Sequence, residues 1–330
     1  RSTRDASKHW TFKEASIFAQ IEAFTRRCRD LLEVCEGQVQ FTRRKPNGNQ
    51  IDMPVFGGTR GPHIYKSLCD NEKVFAMHLE KLRTLDYDAL DVRATRWHED
   101  FNTQFKNSLR DLEVMTQNII NTAFNNVSTV AGGVELLEAF QVLAWCESIK
   151  RCVEKKVTDV LSSFIKQCAQ YKRHFESNRH APPVHPDEPK NGGGADWTSG
   201  LRREIAQDWK YLYSVVQSMD QSMVRVDVVD EAKSEYQALM AVFNEYIIKQ
   251  YYDWMTTLAG IDQAAMQKKL ERPLMQRIDI KTGLPINNKR QNSTVPTRIE
   301  SNFDKDLLKL FNEVTFWQRN STVLLFVVDG

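Results

Sequence analysis

No run of apolar residues in this sequence is long enough to cross a bilayer. The longest, from Val323 to Val328, falls far short of the ~20 residues a spanning helix needs. No charged-then-apolar leader opens the chain, so a soluble protein is expected. Charge of one sign is also lacking: Lys+Arg 45 stand against Asp+Glu 43, a net charge of +2. Such a balance gathers neither nucleic acid nor an anionic membrane surface, and both are excluded as expected partners. The six cysteines (Cys28, Cys35, Cys69, Cys146, Cys152, Cys168) show no C-x2-C spacing. Most sit inside helical patterns as small apolar residues, which points to reduced thiols in a cytosolic compartment. The sequons at Asn126, Asn292 and Asn320 then read as chance matches.

The signatures of common enzymes are missing as well. There is no G-x-x-x-x-G-K-[ST] loop, and Gly57–Gly61 (GGTRG) lacks both the lysine and the preceding strand that a phosphate cradle requires. No G-x-S-x-G elbow is present, and no cysteine follows a strand as a nucleophile would. His180 and His185 flank Pro182 and Pro183, two metal ligands without a third. The run RWHEDFNTQFKNSLRDLEVM (Arg96–Met115) places His98, Glu99 and Asp100 side by side, but Asn102 stands where HExxH needs its second imidazole. At 100° per residue the three fan out around a helix and suit its electropositive first turn. A helical enzyme built around a metal at His98 and Glu99 is therefore the weakest reading. Neither cofactor nor small-molecule substrate is implied.

What the sequence does hold is helical periodicity. With 330 residues, 38.3 kDa and 41% hydrophobic residues, the chain can bury a sizeable core in two subdomains or in an elongated array. Ile17, Phe18, Ile21, Phe24, Cys28, Leu31 and Cys35 recur at steps of three and four, predicting a helix over 13–40 with one buried stripe. Pro62 suits the first turn of a second helix. Trp97, Phe101, Phe105, Leu109, Leu112 and Met115 line a third, and Leu137, Phe140, Leu143 and Ile149 a fourth that runs past Tyr171. Four prolines and Gly192–Gly194 in the segment 180–197 mark the main boundary, a loop whose shortening is expected to cost about 1 kcal/mol or less.

The expected plan is a polar lead-in at 1–12, a first helical bundle at 13–179, the Pro/Gly loop at 180–197 and a second bundle at 198–269. An irregular connector at 270–301, a helix at 302–319 and a divergent end at 320–330 complete it. With no alternating strand pattern, the class is all-α, an elongated array of stacked long-helix bundles. Ile21, Phe24, Leu31, Trp97, Phe101, Phe105, Leu109, Leu112, Phe140, Leu143 and Phe311 are the expected core residues. Trp145, Tyr251, Tyr252 and Trp254 fall outside a single stripe and are the candidates for a partner surface.

Several segments carry a resemblance. WTFKEASIFAQIEAFTRRCRDLLEVCEGQVQF (Trp10–Phe41), FGGTRGPHI (Phe56–Ile64), LDVRATRWHEDFNTQFKNSLRDLEVM (Leu90–Met115) and GVELLEAFQVLA (Gly133–Ala144) are similar to the N-terminal tail of axonemal dynein heavy chains. ERPLMQRIDIKTG (Glu271–Gly283) and NFDKDLLKLFNEVTFW (Asn302–Trp317) resemble a later motif of the same tail, in the same order. LLEVCE and WHED look most like a two-headed inner-arm chain. The likeness covers Trp10–Arg319; the segments 182–194 and 284–298 depart from it. After Arg319, STVLLFVVDG reads as strand-like, which a fragment boundary or a gene-model error would both produce.

The resemblance implies a non-catalytic structural and assembly segment in the cytoskeleton of a cilium or flagellum. It implies other dynein heavy chains, intermediate chains, light chains and axonemal doublet or docking proteins as partners, with ATP hydrolysis in a motor outside these residues. The alternative from a different class is a free-standing α-helical adaptor or tethering protein.

Overall fold

A computed structural model describes residues 14–41, 52–57, 59–125, 127–144, 146–185, 188–280, 282–285 and 296–319. In chain order come α1 (Glu14–Phe41), α2 (Gly61–Arg83), α3 (Trp97–Phe101) and a π-helical turn (Asn102–Lys106). There follow α4 (Asn107–Phe124), α5 (Val130–Gln141), α6 (Glu147–Asn178), α7 (Lys190–Ser218), a 3-10 turn (Gln221–Met223), α8 (Val226–Ala259) and α9 (Gln263–Leu270). Strands β1 (Met275–Asp279) and β2 (Thr297–Ser301) precede α10 (Lys305–Arg319).

Local chemistry fixes many of these ends. Pro62 opens α2 where a missing N–H costs nothing, and Lys81 and Arg83 sit in its last turn against the negative helix end. The Thr129 hydroxyl accepts from Gly132 N at 3.2 Å to start α5. Asp262 and Asp304 do the same ahead of α9 and α10, accepting from Ala264 N and Asp306 N at 2.9 Å each. The Asp304 carboxyl is held below its usual range chiefly by that backbone N–H.

Two compact units emerge. The first comprises Arg1–Phe164 and Lys210–Asp230, the second Ile165–Trp209 and Glu231–Gly330. In the first, one cluster joins Phe41 of α1, Phe75 and Leu79 of α2, and Trp97, Phe101, Phe105 and Leu112 from α3 through α4. Ring centroids lie 4.4 Å apart for Phe41–Phe75, 5.7 Å for Trp97–Phe101 and 5.5 Å for Phe101–Phe105. Phe140 of α5 meets Phe56 at 4.9 Å, and Leu143 is buried just beyond. In the second unit Phe175 stacks on Trp197 at 5.8 Å and meets Phe243 and Tyr246 edge-on at 5.2 Å each. Gln167 donates to Asp208 at 2.8 Å, tying α6 to α7, and Arg202 to Asn244 at 2.9 Å, tying α7 to α8.

Several expectations need correction. The helical class holds, and the correction falls on the connector 270–301, which carries an antiparallel pair, β1–β2, with Met275 opposite Ser301 and Asp279 opposite Thr297. Alternation was absent from the sequence because only Ile278 is buried in this ribbon, while Met275 and Ile299 face outward. Gly283, at φ 67, supplies the left-handed turn after β1. The fourth helix is two: α5 ends in tight turns from Leu143 N to Phe140 O and Ala144 N to Gln141 O before α6 begins.

The boundary at 180–197 also fails, because α7 starts at Lys190 and takes Gly192–Gly194 into its first turns. The chain passes between the two units inside α6, α7 and α8 instead. The end at 320–330 and the three sequons lie outside the described residues.

Of the expected core, Ile21 (55% exposed), Phe24 (46%) and Phe311 (64%) lie outside it. Trp97, Phe101, Phe105, Leu112, Phe140 and Leu143 are buried, and Leu31 and Leu109 pack half-buried against the α1–α4 cluster. On α10 the buried positions are Leu307, Glu313 and Trp317, whereas Phe311, one turn beyond Leu307, is exposed.

Candidate interaction surfaces

The charged trio of α3 diverges. His98 Nε2 lies 3.1 Å from Asn102 Nδ2 on the same helix, Glu99 is exposed, and Asp100 accepts from the Tyr87 hydroxyl at 2.6 Å. Among the described residues no group of three or more His, Cys, Asp or Glu is placed to hold a metal ion. The cysteines of the α6 region offer no activated nucleophile. Burial pushes the Cys146 and Cys152 thiols up, and Cys168 to about 12, favouring the unreactive protonated form.

Next to the trio lies a residue that periodicity does not reveal. Arg27 of α1 is buried, and its guanidinium donates to Ala89 O at 2.8 Å and Ala94 O at 2.6 Å. It also sits 5.7 Å from the centre of the Trp97 ring, whose Nε1 donates to Asp30 at 2.9 Å. Arg27 and Asp30 therefore pin both the connector 84–96 and the start of α3 onto α1. No sequence signal marks this role, since the run Arg26, Arg27, Arg29 looks like a solvated helix face.

Arg27 shares the inward face of α1 with Leu31, Val34, Gly37 and Phe41. The adjoining face carries Phe18, Ile21, Phe24, Cys28, Leu32, Cys35 and Val39 at steps of three and four, and all of these are exposed. The first helix thus has two apolar faces, of which the described residues cover one. A stripe of large apolar side chains open to water is the mark of a surface that another chain or segment covers.

In the second unit the expected partner residues divide. Tyr252 is 64% exposed, whereas Tyr251 and Trp254 are half-buried against Trp317 of α10, with ring centroids 5.3 and 5.9 Å from it. Trp254 Nε1 is buried without an acceptor among the described residues. Trp145 lies outside the described residues.

Beside this cluster Glu313, only 8% exposed, reaches the start of α7. Its carboxylate accepts from Asn191 N at 2.7 Å, Gly192 N at 2.9 Å and Trp317 Nε1 at 3.1 Å. A charge at a helix N-terminus with three donors is strongly favoured, so α10 caps α7. Gly192 is needed for that approach, because a Cβ there would meet the Phe316 ring at 2.7 Å.

The described residues hold an aromatic core in each unit, a tertiary cap on α7 and an uncovered apolar stripe on α1. Residues 1–324 match the family described as Dynein heavy chain, N-terminal region 1. The chain belongs to that family. The match passes Arg319, where the resemblance was expected to end. Relatives of this N-terminal region include the dynein-1-beta heavy chain of the flagellar inner arm I1 complex of Chlamydomonas reinhardtii, 37% identical over 312 residues and 94% of this chain. The human dynein axonemal heavy chain 2 is 33% identical over 287 residues, 87% of this chain. The beta chain of the flagellar outer arm of Chlamydomonas reinhardtii is 26% identical over 309 residues, 93% of this chain. The chain spans about 6% of the length of each of these dynein heavy chains.

Proposed function

We propose that the chain is a non-catalytic structural and assembly segment of an axonemal dynein heavy chain tail, working in the axoneme of a cilium or flagellum. It holds heavy chains together and seats intermediate and light chains for docking on the doublet microtubule. The observation that carries this reading is the match to the heavy-chain N-terminal region over residues 1–324, on a chain whose α1 leaves an apolar stripe uncovered. Identity favours an inner-arm, beta-type chain: 37% to the dynein-1-beta heavy chain of the inner arm, against 24% to its dynein-1-alpha heavy chain and 26% to the outer-arm beta chain.

The test replaces Phe18, Leu32 and Val39 by Asp in the intact heavy chain and follows its sedimentation with the other chains of the assembly. Loss of a second heavy chain, or of the intermediate chains, from the complex is expected. Normal assembly of the triple variant would reject the stripe as a seat. Steady ATP hydrolysis by the 330-residue chain itself would reject the non-catalytic assignment.

A further inference from the structure

The first unit contains a groove of about 670 Å3 that the assembly reading does not use. One wall is the segment 52–57, which adopts neither helix nor strand. Its Val55 side chain is 88% exposed, and Pro54 has no N–H to donate. Among the described residues the main-chain groups of Val55 and Gly57 have no hydrogen-bond partner. The opposite wall is α5, with Leu136 and Ala139 contributing apolar surface and Glu135 and Glu138 contributing carboxylates.

Glu135 is exposed and makes no ion pair among the described residues, and its Oε2 lies 3.7 Å from where a Cβ on Gly57 would stand. One carboxylate therefore faces the segment 52–57. Glu138 accepts from the Tyr211 hydroxyl at 2.9 Å. That phenol is pushed up to about 12, by burial first and then by the bond to Glu138 and the charges of Glu138 and Glu135, so the wall holds a negative field. Arg60 lines the groove too, so two anions face one cation.

Three features together select the occupant. Main-chain groups left unpaired at Val55 and Gly57 offer donors and acceptors to the backbone of a second polypeptide, whose side chains then enter the groove. The volume lies in the range of sites that enclose a short stretch of ligand rather than a single ion. The carboxylates repel phosphate and attract ammonium or guanidinium, which disfavours nucleic acid and acidic peptides.

We propose that this groove binds an extended segment of a partner polypeptide in which an apolar side chain stands next to a lysine or arginine. The apolar side chain packs against Val55 and Leu136, and the cation faces Glu135. The inference stands on the groove and is independent of the α1 stripe.

The test pans a phage-displayed library of random twelve-residue peptides on the chain and measures the enriched peptides by fluorescence anisotropy. Enrichment of sequences pairing Lys or Arg with Val, Ile or Leu is expected. Their affinity is expected to fall about tenfold on Glu135→Lys and to weaken in high salt. It should recover when the cation of the peptide is exchanged for glutamate. Because Glu135 is exposed, circular dichroism melting of Glu135→Lys should match that of the parent; if it does not, Glu135→Gln replaces it in the comparison. No enrichment, enrichment of acidic peptides, or binding indifferent to substitution at Glu135 overturns the proposal.

Discussion

Two stripes with the same period meet opposite fates in this molecule. Trp97, Phe101, Phe105 and Leu112 run along α3 to α4 and are buried, while Phe18, Ile21, Phe24, Leu32 and Val39 run along α1 and are exposed. With Leu109 in the first and Cys28 and Cys35 in the second, both show steps of three and four, so both read as one face of a helix. The period says that a helix forms and where its apolar side lies. It says nothing about what covers that side, which depends on elements far away in sequence. The α3–α4 stripe is met by Phe41 of α1 and by Phe75 and Leu79 of α2. On α1 the coverage goes to the neighbouring face, where Arg27 and Phe41 sit. Helix α10 repeats the lesson in reverse, with Phe311 outward and Glu313 buried.

The largest expected difference comes from truncating one aromatic on each stripe. Phe105→Ala empties a fully buried site and should cost about 3–5 kcal/mol in urea unfolding. Glu313→Ala should follow at about 3 kcal/mol, since it leaves two α7 amides and the Trp317 N–H without their acceptor. A loss as small as that of an ordinary surface change would show that α10 does not cap α7. Phe18→Ala and Leu32→Ala, on the exposed stripe, should change the stability of the chain alone by about 0.5 kcal/mol or less. Losses like that of Phe105→Ala would erase the contrast between the stripes.

The smallest effect concerns alkaline pH. Tyr87 hydrogen-bonds Asp100 beside the buried stripe, and its phenol is pushed up from 10.0 to about 12, by burial first and then by that bond. A raised folded value means that this contribution to stability is complete below pH about 10 and is lost as pH rises towards 12. Tyr87→Phe should therefore flatten the alkaline fall in melting temperature. An unchanged slope would remove Tyr87 from the stabilised set.

Much of the helical plan is legible from the apolar period: α1 and α10 begin and end, and α2 begins, within a few residues of the expected positions. Local rules failed where the decisive partner is distant. Gly192–Gly194 reads as a loop because glycine weakens helices, yet the segment is helical with Glu313 capping it and Phe316 packed on it. The β1–β2 ribbon left no alternation because it buries almost nothing, and its available signal was the Thr282–Gly283 turn. Of the surfaces, Arg27 was invisible, as its two carbonyl acceptors are contributed by the connector 84–96. The aromatics of α8 lie off a single stripe in the sequence, but only the fold shows that Tyr251 and Trp254 turn to Trp317 while Tyr252 remains outside.

The cap between Glu313 and the first turn of α7 also sets an order in time. Asn191 and Glu313 are 122 residues apart along the chain. During synthesis, at about 5–20 residues per second, the amides of Asn191 and Gly192 wait many seconds for their carboxylate to leave the ribosome. The second unit closes only once α10 has emerged, so a nascent chain stopped short of Lys305 carries α7 with an unfinished end.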